Sequence, residues 1–149
     1  MKTGRTGKRR EPLVVGWREW VGLPDLGIER IKAKMDTGAR TSALHVEGLQ
    51  FKEVSGLTIV SFRVLPIQRR KQPQISCEAR LLDRRTIKSS SGHAALRPII
   101  RTSLKLGPEI LEIELSLVSR DQMGFRLLIG RQAMHRPFLV DPTRSYQLA

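Results

Sequence analysis

Ile28-Glu29-Arg30-Ile31-Lys32-Ala33-Lys34-Met35-Asp36-Thr37-Gly38-Ala39-Arg40-Thr41-Ser42-Ala43-Leu44 is the stretch on which the fold turns. From Ile28 to Met35 apolar and charged residues alternate for most of the length. A period of two is the pattern of a half-buried strand, because successive side chains leave opposite faces of the sheet. The strand runs directly into Asp36-Thr37-Gly38, three turn-forming residues. Thr41-Ser42-Ala43-Leu44 then resumes an apolar alternation. The segment therefore reads as strand, tight loop, strand, with a carboxylate on the loop. Alone, the tripeptide is an ordinary turn; its setting gives it weight.

The same short period recurs outward from it. Leu13 to Trp17 starts a strand, and Leu23-Pro24-Asp25-Leu26-Gly27 is a turn cluster. Leu57 to Leu65 alternates, with Thr58, Val60, Phe62 and Val64 on one face. Ile75 to Leu82 is a further strand. Ile110 to Leu117 sets Leu111, Ile113, Leu115 and Leu117 on one wholly apolar face. No long helical period occurs, and one short helix is expected at Arg131 to Met134. Residues 68–74 and 89–95 read as exposed loops. The pattern implies an all-β domain of many short strands, a closed or partly open β-barrel or a sandwich, over residues 12–149. Residues 1–11 read as a flexible basic arm. Trp17 and Trp20 read as packing residues.

The chain has 149 residues and 40% hydrophobic content, enough for one real core and too much for a disordered chain. Its apolar runs fall far short of the roughly 20 residues of a membrane span. No apolar signal core follows Arg10, and the lone Cys77 permits no intrachain disulfide, so a cytoplasmic setting without membrane contact is expected. Lys and Arg number 27 against 14 Asp and Glu, a net charge of +13. Such a field attracts nucleic acid, acidic proteins or acidic peptides. His45, His93 and His135 are far apart and lack metal-ligand spacing to Cys77. No His-Glu-x-x-His helix and no glycine-rich phosphate loop is present. Neither metal nor other cofactor is expected.

One further motif gives Asp36 its context. Near the C-terminus, Leu127-Leu128-Ile129-Gly130-Arg131 sets apolar residues before a glycine. With Ile31 to His45, Arg97-Pro98 and Val140-Asp141-Pro142, the chain resembles the retropepsin-like aspartic proteases. More closely, it is similar to the bacterial family labelled ATP-dependent zinc proteases. The resemblance spans roughly residues 12–147, and the first stretch is its most specific part.

The resemblance implies a retropepsin-type barrel with at most one short helix, and an aspartic peptidase chemistry. That chemistry uses two carboxylates about 3 Å apart, which share one proton because both cannot ionise. One acts as general base on water while the other, protonated, polarises the scissile carbonyl. With one Asp-Thr-Gly in the chain, Asp36 is expected to meet Asp36 of a second copy across a two-fold axis. Thr37 would interlock the two loops, and Gly38 would let the backbone turn and approach substrate. Ala39 stands where many eukaryotic-type enzymes carry a serine that donates to the aspartate, so here that hydrogen bond is missing. Viral relatives carry an aspartate at the position of Arg40, which pairs with the arginine equivalent to Arg131. Arg40 and Arg131 cannot pair with each other, so another acid or a substrate carboxylate is expected to meet them. Ile129 and Gly130 would flank the loop that carries the catalytic aspartate and contribute to substrate binding. A flap hairpin is expected at about Ile87 to Arg101, with Ser89-Ser90-Ser91-Gly92 near its tip and His93 and Arg97 within reach of substrate. The family is linked with glutamate ligases, so an acidic, glutamate-rich substrate would match Arg40 and the positive charge. The other reading is a non-catalytic basic module on the same fold that contacts RNA or ribosomal protein.

Overall fold

The computed structural model describes residues 11–88, 92–119, 124–134 and 138–148. The arm residues 1–10, the hairpin residues Ser89, Ser90 and Ser91, and His135 lie outside them. Ten strands follow in order: β1 Leu13–Leu23, β2 Ile28–Met35, β3 Ser42–His45, β4 Glu47–Val54, β5 Leu57–Val64, β6 Ile75–Lys88, β7 Ala94–Leu106, β8 Glu109–Val118, β9 Leu127–Ile129 and β10 Phe138–Ser145. The all-β expectation holds. The short helix at Arg131–Ala133 is a single 3₁₀ turn, and Pro24–Leu26 forms a second one where a plain turn was expected. There, Pro24 presets the first helical φ and Gly27 closes the turn at φ 73.

The strands form one sheet in the order β10-β1-β2-β9-β3-β8-β7-β6-β5-β4. A pair between Gly22 and Lys105 joins β1 to β7, so six strands close into a ring. Gly22 is tightly packed at this point: a Cβ there would sit 3.0 Å from the Glu29 carbonyl oxygen of β2 and 3.5 Å from Lys105 Cβ of β7. From this ring β10 extends at one side, and β6, β5 and β4 extend at the other as a long antiparallel arm.

The alternation read from the sequence becomes the core. Ile31, Ala33 and Met35 of β2 are buried against Leu44, Leu115, Leu117, Leu127 and Ile129. On β5, Val60, Phe62 and Val64 are buried, and on β8 Ile113, Leu115 and Leu117. β7 begins at Ala94, inside the span expected to be loop, and β6 runs on to Lys88. β4 is nearly all exposed, so it carries no alternation and exists only through its pairing with β5.

A carboxylate lies in the interior. Glu19 is fully buried. Its Oε2 accepts from the backbone N–H of Gly16 at 2.6 Å and of Gln147 at 2.9 Å, and its Oε1 from Leu148 at 3.0 Å. Three N–H donors replace the water that the carboxylate gives up, and they tie the C-terminal segment to β1.

Candidate active site

Asp36 follows the last core residue of β2. Its N–H donates to the Ile129 carbonyl at 2.8 Å, which extends the parallel β2–β9 ladder by one residue. The chain then reverses: the Ala39 N–H donates to the Asp36 carbonyl at 3.1 Å, and the Gly38 N–H donates to Asp36 Oδ1 at 3.1 Å. The latter is an Asx-type closure, and it aims the carboxylate with a donor of its own loop. Asp36 is half-buried, while Thr37, Gly38 and Arg40 are exposed.

β9 clasps this loop from below. It pairs in parallel with β2 and antiparallel with β3, so it fills the gap between the two strands that flank the loop. Beyond it, the Arg131 N–H donates to the Ala39 carbonyl at 2.8 Å and the Gln132 N–H to the Arg40 carbonyl at 3.0 Å. Gly130 is required where the two segments cross. A Cβ there would lie 2.6 Å from the Thr41 carbonyl oxygen and 3.0 Å from that of Ala39, and neither backbone atom can swing aside. A buried chain of hydroxyls completes the clasp: the Gly130 N–H donates to Ser42 Oγ at 3.0 Å, and Ser116 Oγ donates to the Ser42 carbonyl at 3.0 Å. Sequence reading missed Ser42 and Ser116. Ser42 falls on the buried phase of β3 with Leu44, and a polar residue at a core phase was the one available signal.

Arg131 finds its partner inside the loop. Its Nη1 donates to the Thr37 carbonyl at 3.0 Å. Of the acid or substrate carboxylate expected to meet it, no acid is paired with it among the described residues, and a backbone oxygen takes one of its N–H groups. Among the described residues, neither Arg40 nor Arg131 forms an ion pair. Both are exposed beside the Asp36 loop.

Asp36, Thr37, Gly38, Ala39, Arg40, Ile129, Gly130 and Arg131 thus come together in one knot. Gly92, His93 and Arg97 belong to a separate piece, the β6–β7 hairpin. Gly92 (φ 89) and His93 are exposed at its end, and no hydrogen bond of the described residues ties them to the Asp36 loop. Arg97 stands opposite Arg85, and its Nε is buried without a hydrogen-bond partner. Arg85 is satisfied by Glu114 at 2.6 Å and Asp83 at 2.9 Å. The hydrogen bond from Arg85 holds the Glu114 carboxyl below its usual range; Asp83 is lowered by Arg85 and then by the Arg84 N–H. This network fixes the hairpin root to β8.

The described residues do not fit a zinc site. Among the described residues no group of three or more His, Cys, Asp or Glu could hold a metal ion. His45 is buried with Nε2 2.9 Å from Glu47 Oε2, and His93 is exposed on the β6–β7 hairpin. The Cys77 thiol is buried, with its pKa pushed by burial to about 11, which disfavours the thiolate a metal needs. No helix of the described residues is long and apolar enough to cross a membrane.

Comparison with known proteins places the chain in a family and a fold. A family model described as retropepsin-like aspartic endopeptidase RimB matches residues 14–148. Proteins named probable alpha-L-glutamate ligase are 42% identical over 135 residues in Shewanella pealeana and 43% identical over 129 residues in Desulfotalea psychrophila. These matches cover 91% and 87% of this chain but 30% and 28% of the relatives. The chain therefore spans less than a third of the curated relatives it matches. A crystal structure of a protein of unknown function from Legionella pneumophila superposes with a TM-score of 0.76 at 25% identity, covering 93% of this chain and all of that one.

Proposed function

The chain belongs to the family of RimB-like, retropepsin-like aspartic endopeptidases, and from that membership we propose that it hydrolyses peptide or amide bonds as a homodimer with Asp36 as its catalytic residue. The observation that carries the reading is the clasped loop. Asp36 is held at its apex by the Gly38 N–H, on a scaffold that Gly130, Ser42 and Arg131 keep rigid. A rigid acceptor is what catalysis by positioned acid and base requires. The loop supplies one carboxylate, so a second copy supplies the other. In the pair, the ionised carboxylate takes a proton from water as its oxygen bonds to the scissile carbonyl carbon. The protonated partner gives its proton to the carbonyl oxygen. The tetrahedral diol then collapses: one of its hydroxyls returns its proton to the ionised carboxylate as the C–N bond breaks, and the nitrogen leaves with the proton of the other carboxyl. Water is added across the bond, and no bond to the enzyme forms.

The proposed substrate is an acidic, glutamate-rich protein tail. Arg40 is exposed beside the loop without a carboxylate partner among the described residues, and guanidinium binds carboxylate bidentately. The net charge of +13 favours acidic ligands. The relatives named glutamate ligase place domains of this kind within proteins of glutamate chemistry. A cytoplasmic site of action fits the single, buried thiol. The remaining reading, a non-catalytic basic module that contacts RNA or ribosomal protein, draws on the same charge. The deciding experiment compares wild type and Asp36→Asn on glutamate-extended peptides by mass spectrometry. Wild type trims the peptides and Asp36→Asn does not. Equal processing by both proteins, or by neither, refutes the assignment.

A further inference from the structure

On β2, Ile31, Ala33 and Met35 face the core, so Arg30, Lys32 and Lys34 share the outer face. Asp36 follows in the same phase. Neighbouring β1 adds Arg18 opposite Lys34 and Trp20 opposite Lys32. Trp20 stacks on Tyr146 with ring centroids 5.9 Å apart. The Arg30 guanidinium lies 4.1 Å from the Trp20 centroid, the Lys32 ammonium 5.2 Å, and the Arg18 guanidinium 5.1 Å from that of Tyr146. Among the described residues none of these four cations makes an ion pair. Each ring fixes its cation by cation–π attraction without neutralising it.

We propose that this face of the β1–β2 ribbon is an extended docking track for the acidic tail of the substrate, leading along Arg30, Lys32 and Lys34 to Asp36. The proposal rests on the peptidase reading for its substrate class. Six residue steps lead from Arg30 to Asp36, about 20 Å at ~3.3 Å per residue. The cations recur at every second position, about 6.6 Å apart, and so do the same-side carboxylates of an extended peptide. A glutamate tail laid along β2 therefore matches the track in both charge and repeat. Nucleic acid fits less well. Single strands stack their bases on open aromatic faces, whereas Trp20 is covered by Tyr146 and Arg30, leaving mainly N–H groups to offer. Carboxylates are the natural acceptors for those groups.

The test is a binding measurement, so it does not depend on turnover. A fluorescein-labelled hexaglutamate peptide is titrated at low salt against the full chain carrying Asp36→Asn, with fluorescence anisotropy as readout. Adding Arg30→Ala, Lys32→Ala and Lys34→Ala is expected to weaken binding about tenfold, since each exposed pair contributes a factor of a few. A control removes the same charge elsewhere, by Arg69→Ala, Arg70→Ala and Lys71→Ala in the exposed 68–74 loop; it should cost less than about twofold, the long-range charge effect alone. Lys32→Arg should retain affinity. Absence of peptide binding, equal losses in the two triple variants, or a uridine hexanucleotide that binds the track more tightly than the peptide overturns the proposal. If peptide binding follows the track while wild type cleaves nothing, the peptidase reading fails and the track stands.

Discussion

Gly130→Ala is the sharpest perturbation of the clasp. The added methyl carbon would lie 2.6 Å from the Thr41 carbonyl oxygen and 2.7 Å from its carbon. Relief requires β9 or the loop to move by more than half an ångström, and both are backbone. Overpacking of this kind costs about 1–3 kcal/mol. The movement also strains the bonds from Asp36 N–H to Ile129, Arg131 N–H to Ala39 and Gln132 N–H to Arg40, at 2.8, 2.8 and 3.0 Å. Losing one or two of them adds about 1–2 kcal/mol. A total near 3 kcal/mol corresponds to a fall in Tm of roughly 6–12 °C for a chain of this size. The glycine itself is not strained, with φ −93, so the whole effect is steric. Thermal unfolding by circular dichroism gives the Tm, and amide exchange at Asp36, Arg131 and Gln132 localises the change. A Tm within about 2 °C of wild type, with protection at those three amides intact, would refute the argument that Gly130 is required by the crossing.

Further consequences follow from the same geometry. Glu19→Gln leaves one acceptor oxygen where the carboxylate offers two, and turns an amide NH₂ toward backbone N–H groups of Gly16, Gln147 or Leu148. It should cost about 2–3 kcal/mol and expose the C-terminal segment to carboxypeptidase; unchanged urea unfolding would contradict it. Arg131→Ala should lower activity more than stability, and the stability difference should persist as salt rises from about 0.05 to 1 M, because Thr37 offers a neutral carbonyl; a gap that closes with salt would point to an acid partner. The lowered Glu114 and Asp83 carboxyls contribute stability above their unfolded values near 4.5 and 3.8, which is lost as pH falls through the folded values. Glu114→Gln should therefore flatten the acid limb of the stability curve; an unchanged limb would exclude the hairpin root as its source.

Much of this was legible in the sequence because strand burial writes itself as alternation. The bounds of β2, Ile28–Met35, coincide with the expected strand, and Val60, Phe62 and Val64 of β5 and Ile113, Leu115 and Leu117 of β8 are buried as the alternation implies, while Thr58 and Leu111 at the strand ends are half-buried. β4 was invisible because an exposed strand carries no such pattern. The Thr37 carbonyl as a partner of Arg131 was not legible for a related reason. A side chain's charge suggests an ionic partner, but whether a backbone carbonyl lies nearer depends on how two distant segments cross.

The sequence by itself determined the local chemistry of this protein: a strand that ends in one carboxylate, a later apolar run ending in glycine, and a strong excess of cations. Those properties reside in single residues and their near neighbours. Only the tertiary structure decided that β9 threads between β2 and β3, that Ser42 and Ser116 close the crossing, and that Arg18, Trp20, Arg30, Lys32 and Tyr146 gather on one face. Residues 88 positions apart meet there through sheet order and register, which emerge from packing the whole core at once.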